Sequence, residues 1–229
     1  GVPFNGPVCA AVPTATGERL REIIRYASKG NALGSDRWSF AELGLLPAEA
    51  IDHLAVVFLL AELLGRWPSA LRDMLFLQLP KDGAVRAGQR RPIALLPMVY
   101  RLWAAACRSR VLTWRDACRA RGETPVGAGA LDEAFELALE AEAASRDGEA
   151  FGAVFLDCSK CYERVPLSQL REAALAEGFP AGVLALALDM YRGRRRILVN
   201  GAVSDPVAAC CGIPAGCGLA VDLLHAYLT

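Results

Sequence analysis

Apolar residues alternate between two periods along this chain, and the switches mark its elements. Leu20, Ile23, Ile24 and Ala27 recur at helical spacing within Glu18–Ser28. Pro47–Leu64 is apolar almost throughout and predicts a second helix, with His53 read as a structural residue and Gly65 and Pro68 as the stop. Leu75–Lys81 alternates like a strand, Asp82-Gly83 predicts a turn, and Arg90–Leu96 returns as the partner of a hairpin. Tyr100–Ala120 reads as one long helix with Leu102, Trp103, Ala106, Val111, Leu112 and Trp114 inward. Leu131–Ser145 is an amphipathic helix with an acidic face, and Phe151–Leu156 is an apolar run expected to be a buried strand. Helical runs follow over Leu167–Gly178 and Val183–Met190. Arg192–Val199 reads as a basic strand, Asn200-Gly201 as a hairpin turn and Ala202–Cys211 as the returning strand. A glycine-rich turn, Gly212–Gly218, leads into a final apolar helix. Residues 1–16, with Pro3, Pro7 and Pro13, predict a loop.

Strands in hairpins interleaved with helices predict an α+β fold. Over half of the 229 residues are hydrophobic, enough for a sizeable core and too many for wholesale disorder. No apolar run reaches the roughly 18 residues of a membrane span, so no membrane partner is expected.

A formal net charge of zero conceals a strong asymmetry. Lys81, Arg86, Arg90, Arg91, Arg101, Arg108, Arg110, Arg115, Arg119 and Arg121 face only Asp82 and Asp116 within their stretch. The next stretch, Glu123–Glu149, is nearly all acidic. A basic block suits a polyanionic partner, and an acidic helix face suits solvent. The eight cysteines have no disulfide-framework spacing and read as reduced intracellular thiols. Cys158-x-x-Cys161 is half of a zinc pattern with no second half at finger spacing. Buried small hydrophobes account for these thiols, and a zinc site using Cys158, Cys161, Cys210 and Cys211 is the remote alternative.

Three groups carry candidate chemistry. Asp157 ends the Phe151–Leu156 run, and a buried strand rarely carries an acid unless it is paired or binds a metal. Tyr162 follows after a short turn. Lys81 and Arg91 sit at the two ends of the hairpin, a mobile point charge and a planar fork that suit a triphosphate and equally suit solvent. Gly216 allows close backbone approach in the turn before the last helix.

In this order the segments resemble the reverse transcriptases of non-LTR retrotransposons. Lys29-x-x-x-x-Gly34-x-Asp36, Pro80-Lys81-x-Gly83 with Arg91-Pro-Ile-x-Leu-Leu96, and Tyr100-Arg101 resemble the fingers of that family. Asp157-Cys-Ser-Lys-Cys-Tyr162-Glu-Arg-Val165 resembles its Asp-Phe-Ser-Lys-Ala-Phe-Asp-x-Val. Gly193-Arg194 through Gly201 resembles its Gly-Arg-x-x-x-Val-x-Val-x-Gly, and Gly212-Ile-Pro-Ala-Gly216-Cys resembles its Gly-Val-x-Gln-Gly turn. Three departures stand out. Ala215 replaces the usual Gln, Ala220 and Val221 replace Ser-Pro, and Asp222 replaces an apolar or neutral residue.

The resemblance implies an N-terminal extension over 1–25, fingers over 26–150 and a partial palm over 151–229. An antiparallel palm sheet would pack on helices, with the thumb and the hairpin carrying Tyr/Phe-x-Asp-Asp outside these residues. It implies RNA-directed DNA polymerisation, with dNTPs added to a DNA primer on an RNA template by two-metal phosphoryl transfer. Asp157 would be the catalytic carboxylate, binding Mg²⁺ (or Mn²⁺) with the Cys158 carbonyl. Lys81, Arg91, Tyr162, Ala215 and Gly216 would contact the dNTP, and Arg101, Arg108, Arg194, Arg195 and Arg196 the nucleic acid. The location would be intracellular, and nuclear in an active retroelement. No Tyr/Phe-x-Asp-Asp occurs in the sequence, so the chain alone is expected not to polymerise. The alternative is a non-catalytic nucleic-acid-binding remnant of the same fold.

Overall fold

A computed structural model describes residues 15–28, 30, 32–80, 90–122, 130–154 and 159–229. In chain order the helices are α1 Gly17–Tyr26, α2 Phe40–Leu43, α3 Ala48–Leu64, α4 Met98–Ala106, α5 Arg108–Ala120, α6 Ala130–Asp147, α7 Cys161–Arg164, α8 Leu167–Ala176, α9 Ala181–Tyr191 and α10 Ala220–Leu228. The strands are β1 Asp73–Pro80, β2 Arg90–Leu95, β3 Arg194–Val199 and β4 Ala202–Val203. The fold is therefore α+β. No helix among the described residues is long and apolar enough to cross a membrane.

Local chemistry explains the element ends. Thr16 caps α1 by accepting from the Arg19 N–H, and Ser39 and Glu42 form a reciprocal capping box on α2. Gly65 ends α3 in the left-handed conformation. The expected β1–β2 hairpin pairs Leu75 with Leu95 through to Pro80 with Arg90. Asn200 and Gly201, at φ 49° and 83°, make the β3–β4 turn, whose two positive φ values match the right-handed twist of the strands.

Three expectations are corrected. The sheet is mixed rather than antiparallel: its order is β2-β1-β3-β4, and β1 pairs with β3 in parallel. A parallel neighbour requires a long crossover, and the helices between residues 95 and 194 supply it. The helix expected over Tyr100–Ala120 breaks at Cys107. The two halves bury different faces: α4 is apolar on most sides, whereas α5 buries only Val111, Trp114 and Cys118. Finally, Phe151–Val154, expected as the start of a buried strand, has no strand pairing, with Phe151 and Val154 exposed. An apolar run becomes a strand only where another strand offers its backbone groups, and among the described residues none pairs with this one.

One contiguous core joins α1, α3, α4, α5, α8, α9 and α10. At its centre Trp67 meets the rings of Phe58, Tyr100 and Trp103 edge-on or steeply inclined, at 5.3 to 6.0 Å between centroids. Trp67 also donates its indole N–H to the Leu186 carbonyl at 3.0 Å, which ties the cluster to α9. The Glu62 carboxylate, on α3, accepts from the Trp103 indole at 2.9 Å and from Arg110 at 3.0 Å, joining α3 to α4 and α5.

Candidate nucleotide and nucleic-acid site

The glycine turn is the hub of the candidate site. The Ala94 N–H on β2 donates to the Ala215 carbonyl at 2.6 Å. β2 is an edge strand, so the turn satisfies an outward N–H that would otherwise be open. Gly216 has φ +110°, and a Cβ there would lie 2.7 Å from the Ala94 carbonyl oxygen. Only glycine permits this approach. Arg91, exposed on the same strand, lies three residues from Ala94, about 10 Å of extended backbone.

On its other side the turn is stitched to the segment after Asp157. The Ile213 N–H donates to the Tyr162 carbonyl at 2.8 Å, the Gly212 N–H to the Val165 carbonyl at 2.8 Å, and the Leu167 N–H to the Cys210 carbonyl at 3.3 Å. Tyr162 is half-buried against the core, and burial pushes its phenol pKa up. The glycine turn thus joins β2, the strand of Arg91, to the Tyr162 segment by backbone hydrogen bonds at Ala94 and Tyr162, across more than a hundred residues of sequence. Lys81, Asp157 and Cys158 lie outside the described residues.

Beneath the turn, Cys217 Sγ lies 3.1 Å from the Tyr191 hydroxyl and 3.3 Å from that of Tyr100. All three groups are buried, and burial raises the pKa of each. Cys217 is therefore a buried anchor for the turn.

The expected nucleic-acid arginines divide by strand and helix geometry. Arg195 points inward. It donates to the carbonyls of Tyr191 at 3.1 Å and Gly212 at 2.9 Å, and its guanidinium carbon stands 5.2 Å from the Phe76 ring centroid. Burial lowers its pKa. Arg194 and Arg196 take the opposite face, as alternation requires, and both reach Asp73, at 2.7 and 3.8 Å. Arg101 donates to the carbonyls of Leu96 at 3.0 Å and Ala32 at 2.7 Å, fastening the Gly34–Asp36 loop to the end of β2. Asp36 completes that fastening by accepting from the Val99 N–H at 3.2 Å, and burial raises its pKa. Arg108 is partly exposed and lies 3.6 Å from Asp222.

Asp222 has a role that motif reading does not assign. It is fully buried in the first turn of α10 and bonds Arg115 through Oδ1. The visible signal is an acid inside an apolar helical pattern, with an arginine-rich helix elsewhere in the chain to answer it. Arg101, Arg108 and Gly216 share the lining of a groove of about 660 Å³ with Arg19, Tyr26 and Phe40.

Among the described residues no group of three or more His, Cys, Asp or Glu side chains could hold a metal ion. Cys161, Cys210 and Cys211 form no such group, and Cys158, the fourth thiol of the zinc alternative, lies outside the described residues. No family model matches the chain, and no curated protein matches it.

Proposed function

We propose that these residues are the fingers and part of the palm of an RNA-directed DNA polymerase of the non-LTR retrotransposon kind. The dNTP site would lie where the glycine turn meets β2 and the Tyr162 segment. The observation supporting this reading is the pair of backbone hydrogen bonds that join three motifs remote in sequence, Ala94 to Ala215 and Ile213 to Tyr162. Through those bonds the strand that carries Arg91, the Tyr162 segment and the glycine turn are neighbours.

In this reading Arg91 binds a phosphate of the dNTP with its fork. The Tyr162 ring lies under the sugar and disfavours a 2′-hydroxyl. The Ala215–Gly216 backbone forms the floor beneath the base pair. Magnesium, when bound, neutralises phosphate charge, and Asp157 with the Cys158 carbonyl are assigned to it on the resemblance alone. Ala215 favours a second reading, a polynucleotide-binding remnant, because alanine lacks the side-chain hydrogen bonds of glutamine.

Ultraviolet crosslinking of a radiolabelled dNTP tests the first reading. Label is expected on peptides around Tyr162 or Gly216, competed by unlabelled triphosphate but not by nucleoside, and weakened about tenfold or more in Arg91→Ala. Label indifferent to both would overturn it. Primer extension with Mg²⁺ or Mn²⁺ is expected to give no product from the 229-residue chain, and templated synthesis would overturn that expectation.

A further inference from the structure

The groove beside the glycine turn is lined by α1 and α4 as well as by Gly216 and Gly218. Its floor is apolar, with Ile23, Ala27, Phe40, Ala104 and Ala105, and its rim carries three arginines and one acid, Glu22. These arginines are not equivalent. Arg19 is ion-paired with Glu22 on its own helix, and Arg101 is occupied by two backbone carbonyls. Arg108 has Asp222 as its one ion-pair partner among the described residues. Its side chain is 43% exposed, whereas that of Asp222 is 0% exposed.

Asp222 divides its two oxygens unequally. Oδ1 is bonded to Arg115, which is itself mostly buried, and that bond helps tie α10 to α5, where Trp114 also packs edge-on against His225. Oδ2 is buried with no hydrogen-bond partner and faces Arg108 at 3.6 Å, beyond hydrogen-bond length and within ionic reach. An unsatisfied buried carboxylate oxygen is costly, and attraction for Arg108 is what offsets it. The result is an arginine held over the groove by charge, without fixed hydrogen bonds, with its outer N–H groups open to an anion. Tyr26, 78% exposed, stands on the same groove. An exposed ring can stack only on a base that is already unstacked, so a single strand suits it better than a duplex.

We propose that Asp222 is a positioning residue that holds Arg108 at the mouth of the α1–α4 groove. There Arg108 takes a backbone phosphate of a single-stranded polynucleotide, and Tyr26 stacks on a neighbouring base. This rests on the nucleic-acid reading above but not on dNTP binding. It adds α1 to the contact surface and gives the acid that departs from the family pattern a reason to be there.

Fluorescence anisotropy with a labelled single-stranded oligonucleotide, titrated across salt concentrations, tests the proposal. Arg108→Ala is expected to reduce the slope of log K against log salt by about one contact, roughly 0.7 for a single strand. Tyr26→Ala is expected to weaken binding roughly 5- to 150-fold with the slope unchanged. Asp222→Asn is expected to reproduce the slope of Arg108→Ala and to add nothing in the double variant. The pair Asp222→Asn with Arg115→Met removes the buried ion pair as a unit, which protects against a simple folding defect, and is expected to show the same slope. Thermal melting of each variant separates positioning from stability, because a purely structural role changes melting and leaves the slope alone. A wild-type slope in folded Asp222→Asn, or wild-type affinity in Tyr26→Ala, overturns the proposal. Failure of dNTP crosslinking with these results intact removes the polymerase reading and leaves this one standing.

Discussion

The N–H of Ile213 donates to the carbonyl of Tyr162 at 2.8 Å. That bond brings the segment following Asp157 against the glycine turn, and the Ala94–Ala215 bond carries the connection on to the hairpin of Arg91. The turn is held by backbone groups and by the buried Cys217, Tyr100 and Tyr191 side chains below it. Its geometry therefore depends little on which residue occupies position 215 and strongly on the glycine at 216.

Gly216→Ala should show this directly. The new Cβ would stand 2.7 Å from the Ala94 carbonyl oxygen at a φ of +110°. A loss of about 1–3 kcal/mol in denaturant unfolding is expected, together with weaker dNTP crosslinking. Gly218→Ala is the control, since a Cβ there meets nothing within 4 Å. It should stay within about 0.5 kcal/mol of the parent chain. Equal effects of the two substitutions would contradict the close approach.

The three consecutive arginines of β3 should separate by face. Arg195→Ala removes two hydrogen bonds to carbonyls, one of them on the glycine turn, and should cost roughly 2–3 kcal/mol in unfolding experiments. Arg194→Ala and Arg196→Ala each remove a part-exposed ion pair with Asp73, and should cost under about 1 kcal/mol. If this face meets nucleic acid, each of those two lowers the salt slope of oligonucleotide binding while melting hardly moves. Three equal melting losses would argue against the inward placement of Arg195.

Stability should fall in alkali. Cys107 is buried where α4 meets α5, and burial pushes its thiol from 9.0 up to about 12. A raised folded pKa means that the unfolded chain releases its proton first. The stabilisation is complete below pH 9.0 and is lost as pH rises toward about 12. Tyr100, Tyr191 and Cys217, also raised by burial, act in the same direction. The urea midpoint should drop steadily above pH 9.0, and Cys107→Ala should reduce that slope by one proton. An unchanged slope in the variant would contradict the assignment.

The α+β class, the β1–β2 hairpin, the Asn200–Gly201 turn and most helices were legible in the sequence. Each depends on interactions a few residues apart: helical or alternating periodicity, caps, and residues that tolerate positive φ. A glycine turn before the last helix was legible too, but that Gly216 packs against the Ala94 carbonyl of β2 was not. Only the tertiary structure decided the rest. The parallel pairing of β1 with β3, the break at Cys107 and the exposure of Phe151–Val154 depend on which distant surface each segment meets. The same holds for the arginines. Arg101, Arg108, Arg194, Arg195 and Arg196 are alike in sequence, yet two are occupied by backbone carbonyls, two share one aspartate, and one is held over a groove by a buried acid. A charge declares its sign in sequence, but whether it faces solvent, a carbonyl or a carboxylate is decided by burial and by partners a hundred residues away.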